Sequence, residues 1–284
     1  MFKHPKSAGP TARFLVCLLA AALCIVTAPA ANAAPPAGGG TQQTLGNDVS
    51  WPQCNKALPK DPAFAIVGVN NGLANTTNPC LQAQLKWAQA IPAGRNSTGQ
   101  PTIALYVNTA NPGLAGSWWP TGDQYPEDSN VTVDTNPYGS CKNNPEPAGA
   151  ACAYMYGYAK AYDDAKRRGI SSPESYLWWL DVETGNSWSG TNLTANRAVL
   201  EGMTDFFQGI GADVGIYSTS YQWGQIVGSV SDSSNLYTLP SWLAGARTLT
   251  GAKSNCSNPP LTAGGSVTLT QFVSKGFDYD YSCI

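Results

Sequence analysis

The sequence predicts an α/β protein: a single, irregular TIM-like (β/α) barrel of about five βα units followed by three strands. Three observations carry that expectation. Short uninterrupted apolar runs, such as residues 64–69 (FAIVGV) and 102–107 (TIALYV), read as strands buried on both faces. They alternate with stretches of helical apolar spacing, which calls for a parallel sheet wrapped by helices. The chain that follows an N-terminal leader, about 250 residues, has the size of one such barrel.

The leader comes first. Lys3, Lys6 and Arg13 precede an apolar run that begins at Phe14, and Ala31-Asn32-Ala33 then offers a small-x-small cleavage pattern. Residues 1–33 are expected to be a signal peptide, and the protein to be secreted and extracellular. Residues 34–44, with Pro35, Pro36 and a run of glycines, read as a flexible lead-in, and residues 45–284 as the barrel domain. No second apolar stretch is long enough to span a bilayer, so no membrane partner is expected.

Within the domain, residues 45–51 (LGNDVSW) and 64–69 read as the first two strands. Leu81, Leu85 and Ala88 give residues 80–90 a helical stripe, and residues 102–107 form the third strand. Residues 108–150 are rich in Pro, Gly, Asn and Asp, yet carry Trp118, Trp119, Tyr125 and Tyr138, which seek burial. A helix over 151–168 ends at Gly169, and residues 176–183 form the fourth strand. A helix over 193–208 buries Leu200, Met203, Phe206 and Phe207; the fifth strand spans 214–219 and a short helix 221–227. Beyond that the helical signal fades, leaving strands at 239–244, 267–273 and 277–284.

The net charge of −2 becomes more acidic once the leader is removed, and no basic patch exists, so nucleic acid is not an expected partner. The single histidine, His4, lies in the leader. A Ser-His-Asp or Cys-His site, or a histidine metal site, is therefore excluded from the domain, and acid/base chemistry falls to carboxylates, Tyr or Lys. No metal or cofactor is expected. Beyond Cys17 and Cys24 of the leader, six cysteines remain, with no C-x-x-C pair. They suggest three disulfides in an exported chain. Spacing does not choose among the pairings; chain order, Cys54–Cys80, Cys141–Cys152 and Cys256–Cys283, is the one we take.

Side chains of a strand alternate faces, so Asp181 and Glu183 share a face with Trp179, while Leu180 and Val182 point the other way. Two carboxylates on one face of a half-buried strand carry a solvation cost that structure alone rarely demands. They suit acid/base cleavage of glycosides. In barrels of this class, functional side chains sit at the C-terminal strand ends. Asp48 falls there on the first strand, and Asp278 or Asp280 on the last, which closes against the first. The plain readings are a turn at Asn47-Asp48 and a solvated C-terminus.

An ordered set of motifs runs along the chain: Asp48-Val49-Ser50, Leu180-Asp181-Val182-Glu183, Ile216-Tyr217-Ser218, Trp242-Leu243-Ala244, Gln271, and Asp278-Tyr279-Asp280. In this order they resemble the family 25 glycoside hydrolases, lysozymes that cleave N-acetylmuramoyl linkages in peptidoglycan. The resemblance implies a monomer acting on a polysaccharide. Glu183 would be the general acid, Asp181 would orient or stabilise the 2-acetamido group or a water, and Asp48 and Asp278 would hold substrate or tune Glu183. Tyr106, Tyr217, Trp242, Gln271, Asp280 and Asn70 would face the sugar. Mutual repulsion should raise the pKa values of such close acids.

Three positions depart from the family pattern. Tyr106-Val107-Asn108 stands where Tyr-His is usual, Val69-Asn70-Asn71 lacks an Arg, and Thr270 replaces a Trp. Acids kept beside altered sugar-facing positions leave a second reading, a catalytically silent glycan-binding or surface-interaction protein on the same scaffold. Most of the tryptophans are expected in packing roles, with Trp51, Trp188 and Trp242 as candidates for sugar contact. Trp118 and Trp119 would form either a lid or a buried flank. Asp123, Glu127, Asp128 and Asp134 match no calcium loop and are read as solvated surface. Asn75, Asn96, Asn130 and Asn192 are glycosylation acceptors in a host that glycosylates.

Overall fold

The computed structural model describes residues 44–125, 131–133, 135–142, 144 and 146–284. The expected signal peptide, nearly all of the expected lead-in, and Glu127, Asp128, Asn130 and Asp134 lie outside the described residues. Eight strands close into a barrel in chain order: β1 (Leu45–Val49), β2 (Ala65–Gly68), β3 (Ile103–Asn108), β4 (Leu177–Asp181), β5 (Asp213–Ser218), β6 (Ser241–Ala246), β7 (Val267–Ser274) and β8 (Phe277–Ser282). Neighbours from β1 to β7 are parallel, and β8 is antiparallel to both β7 and β1. A parallel strand needs a long crossover, whereas β8 follows β7 through a tight turn at Lys275-Gly276, both with positive φ.

The helices are α1 (Leu81–Gln89), α2 (Ala150–Lys166), α3 (Leu193–Gly209), α4 (Ser220–Ile226) and α5 (Leu249–Asn255). They follow β2 to β6, which corrects the expected order at two points. Between β1 and β2 there is only a 3-10 turn, Trp51–Gln53, and a helix does follow β6. The α5 sequence, LTGAKSN, is too short and polar to show an apolar stripe. It is held instead by the Thr248 side chain, which accepts from Gly251 N at 3.1 Å, and by the Thr270 hydroxyl, which donates to Ala252 O at 2.9 Å.

Strand alternation divides the core into two. Ile66, Ala104, Trp179, Trp242 and Leu269 fill the barrel interior with Phe64, while Val67, Leu105, Trp178, Leu180 and Ile216 face the helices. Interior rings need glycine opposite them. A Cβ on Gly215 would lie 2.3 Å from the buried Trp179 ring, and one on Gly68 2.5 Å from Tyr106. The α2–α3 contact is equally close, since a Cβ on Gly157 would lie 1.9 Å from Val199 O.

All three disulfides pair in chain order. Cys141–Cys152 ties the long segment before α2 to the first turn of that helix. Trp118 and Trp119 stack on Tyr156 of α2 at 5.8 and 5.1 Å and are partly buried there, packed as a flank of the barrel rather than as a lid. Asp123 is no free surface acid: its carboxylate accepts from Cys141 N at 2.6 Å and from the Ser140 hydroxyl.

Candidate active site

Parallel strands bring their C-terminal ends to one mouth of the barrel, and an open cleft of about 370 Å³ lies there. Asp48, Asp181, Glu183 and Asp278 all line it, together with Tyr106, Tyr217, Trp242 and Gln271. Register places them. Asp48 on β1 is the direct partner of Asp278 on β8, and Asp181 on β4 lies between Asn108 on β3 and Tyr217 on β5. Trp242, fully buried, is the next residue across, opposite Tyr217, with ring centroids 4.4 Å apart.

Hydrogen bonds orient the acids. Gln271 Nε2 donates to Asp48 Oδ2 at 3.0 Å, and the Tyr217 hydroxyl donates to Gln271 Oε1 at 2.9 Å. The tyrosine thereby sets which end of the amide faces the acid. Asn108 Nδ2 donates to Asp181 Oδ2 at 2.5 Å, while Asp181 Oδ1 is buried without a hydrogen-bond partner. Glu183 stands two residues beyond the end of β4 and is half-buried. Its carbonyl accepts from the Trp188 indole at 2.9 Å. Gln222, whose Oε1 is held by Thr184 N and Oγ1 at 2.6 and 2.8 Å, lies beside its carboxyl.

Every acid of the cleft binds its proton more tightly than usual, and burial is the leading cause in each. Asp48 is pushed up to about 8 by desolvation and then by the charge of Asp278, against the Gln271 hydrogen bond. Asp181 is raised well above the carboxylate range by burial and by Glu183, with Asn108 opposing. Glu183 is raised by burial and by Asp278, with Gln222 opposing, and Asp278 by burial, with Lys56 opposing. Repulsion between acids, the expected cause, is thus secondary to desolvation.

Two sequence-expected residues do not reach the cleft. Asn70 is buried, its Nδ2 committed to Thr76 O and Asp164 Oδ1 at 3.1 and 2.9 Å. Strand β2 ends at Gly68, so alternation no longer governs the face of residue 70. Asp280 has no exposed surface and lies beneath the floor near Asp48 and Trp242, its own ionisation strongly disfavoured by burial. Of the three tryptophans singled out, Trp51 lines the cleft and is 45% exposed, Trp242 forms its floor, and Trp188 braces Glu183 from behind.

Several residues in or next to the cleft escaped the sequence reading. Asn108 was visible only as a departure from the family pattern, although the alternation that pairs Asp181 with Trp179 also turns Asn108 to the same side as Tyr106. Gln53 and Gln84 hold the turn after β1: Ser50 N donates to Gln53 Oε1 at 2.9 Å, and Gln84 Nε2 donates to Ser50 O at 2.6 Å. Polar residues in a turn and on a helix carry no sequence signal for such a role.

Comparison with known proteins bears on this site. The profile described as "Lysozyme-like protein 1" matches residues 152–255. The protein named "Probable GH family 25 lysozyme 4" of Dictyostelium discoideum is 31% identical over 186 residues, covering 64% of this chain and 71% of that protein. Among solved structures, the muramidase from Trichobolus zukalii gives a TM-score of 0.49 at 18% identity, covering 84% of this chain and 93% of the other. The family GH25 lysozyme from Aspergillus fumigatus gives 0.42 at 15% identity, with the same coverage. The identity and coverage of the Dictyostelium relative place this chain in glycoside hydrolase family 25, and it is a glycosidase of the lysozyme type.

Proposed function

We propose that the protein is a secreted muramidase that hydrolyses N-acetylmuramoyl linkages of peptidoglycan, with Glu183 as the general acid. The observation that carries this reading is the gathering of four acids from strand ends in one open cleft, two of them only one residue apart at and just beyond the end of β4. Glu183 suits the acid role. It is half-buried at the outer end of the pair, where a glycosidic oxygen can reach it, and burial keeps it protonated above the ordinary glutamate range. Asp181 is deeper, only 4% exposed, with Oδ2 held by Asn108 and Oδ1 left without a protein partner.

In this reading Glu183 gives its proton to the leaving oxygen as the glycosidic bond breaks. Positive charge then develops at the anomeric carbon, where the Asp181 side chain stabilises it directly or through the 2-acetamido group; a water molecule adds to that carbon and gives its proton to Glu183, which restores the acid. Asp48, turned by Gln271 and Tyr217, holds the sugar from the opposite wall. The cleft is lined with acids and Lys56 is the cation that acts on Asp278, which favours an uncharged sugar ring rich in hydroxyl and amide donors. Tyr106 and Tyr217, with the exposed Trp51, supply the apolar surface a pyranose ring stacks on, and the buried Trp242 supports Tyr217 from below. Three disulfides fit an oxidising, extracellular setting.

Reducing-end release from purified peptidoglycan across pH 4 to 8 tests the reading. Glu183→Gln should lower the rate about a thousandfold while leaving sugar binding in place. A Gln variant that keeps its rate removes Glu183 from the acid role; a folded parent protein that releases nothing rules out peptidoglycan as substrate.

A further inference from the structure

The segments at the ends of β2 and β3 are joined to each other and to Asp181. Asn108 Nδ2 donates to Asp181 Oδ2 at 2.5 Å, and Asn108 N donates to Asn70 Oδ1 at 2.8 Å. Asn70 Nδ2 donates to Asp164 Oδ1 at 2.9 Å. Asp164, on α2 and without exposed surface, accepts from Arg168 Nε at 2.5 Å. Arg168 continues to Thr77 Oγ1 at 2.6 Å and to Ala74 O at 3.4 Å. The contacts therefore run unbroken from the end of α2, through the ends of β2 and β3, to the acid on β4.

Such a chain is poorly explained as stabilisation. A buried ion pair gains little over well-packed apolar groups, because desolvation offsets the attraction. Burial outweighs even the guanidinium at contact, for the Asp164 carboxyl is pushed up to about 6. What a fully connected buried polar chain does supply is a single geometry. Here the geometry ends on a cleft acid.

We propose that Asn108 is a positioning residue for Asp181, and that Asn70, Asp164 and Arg168 hold Asn108 in place. The proposal rests on the reading of Asp181 as the second acid of the reaction and adds how that acid is oriented and kept ionisable. Asp181 is faced by Glu183 from just beyond the end of its strand, by Asp48 from β1, by Tyr106 from β3 and by Tyr217 from β5. The two carboxyls oppose its charge. Among the described residues, the Asn108 amide is the group whose hydrogen bond favours it.

The test compares pH profiles of kcat and KM on peptidoglycan for the parent, Asn108→Ala, Asn108→Ser, Arg168→Met and Asp181→Asn, each checked for folding by thermal melt. Asn108→Ala should lower kcat about tenfold with KM little changed, and should move the acidic limb up by about one pH unit. Asn108→Ser, which keeps a donor, should recover part of both; Arg168→Met should shift the limb in the same direction by less. Titration of the Asp181 carboxyl by 13C NMR reads the same contact without turnover, and should show a raised pKa in Asn108→Ala. A parent-like profile and a parent-like Asp181 titration in Asn108→Ala overturn the proposal, as does a loss confined to melting temperature. Asp181→Asn separates the two levels. If it is active, the role of Asp181 falls and the proposal with it. If it is inactive while Asn108→Ala behaves as the parent, only the positioning role falls.

Discussion

Tyr217 shows how one hydroxyl governs a carboxylate it does not touch. It donates to Gln271 Oε1, which leaves Nε2 to face Asp48. Tyr217→Phe should free the amide to rotate and place an oxygen against the acid. We expect kcat to fall roughly tenfold with the ring packing on Trp242 intact, measured as steady-state kinetics beside a thermal melt. Gly215 makes the opposite point, about space. Its missing Cβ is the room that the buried Trp179 ring occupies. Gly215→Ala should cost about 1–3 kcal/mol in urea unfolding, because a filled barrel interior has nowhere to move the indole.

Elements are held by contacts that a short sequence window does not reveal. The α2–α3 pair crosses so closely at Gly157 and Gly202 that a Cβ on Gly202 would lie 2.1 Å from Tyr154 O. These glycines read locally as helix weakeners, and only the neighbouring helix explains them. At the other side of the barrel, Cys256–Cys283 ties the end of α5 to the end of β8 across 27 residues. Replacing both cysteines with serine should destabilise the fold by roughly 3 kcal/mol, read as a lower urea midpoint, since the unfolded chain regains the entropy the loop had lost. Cleft activity at low temperature should persist in that variant, because neither cysteine lines the cleft.

Across the whole molecule, the acids set the response to pH. Asp48, Asp181, Glu183, Asp278 and Asp280 all have raised folded-state pKa values, and Asp164 is raised to about 6. Each binds its proton more tightly folded than unfolded, where an aspartate sits near 3.8. Stability from this source is complete below about pH 4 and is lost as pH rises through the folded values, to about 8 for Asp48. Thermal melts should therefore give a higher Tm at pH 5 than at pH 8. Asp280→Asn, which removes one buried acid, should reduce that difference. A Tm that rises from pH 5 to pH 8 would contradict the assignment of burial as the dominant influence.

What could be determined from the sequence by itself was whatever repeats with a short period or is set by composition. Apolar runs and helical stripes located the strands and four of the five helices, and alternation on residues 179–183 put Trp179, Asp181 and Glu183 on one side. The absence of histidine from the domain confined acid/base chemistry to carboxylates, tyrosines and lysines. Only the tertiary structure decided which strand ends meet. Asp48 pairs with Asp278 because β8 returns antiparallel against β1, a contact spanning nearly the whole domain that no local window holds. It also decided that Asn70 turns away to α2 while Asn108 turns to Asp181, since the pleat stops ordering side chains where a strand stops. The same holds for the raised pKa values. They follow chiefly from how deeply each acid is buried, and burial is a property of the closed barrel rather than of any residue in it.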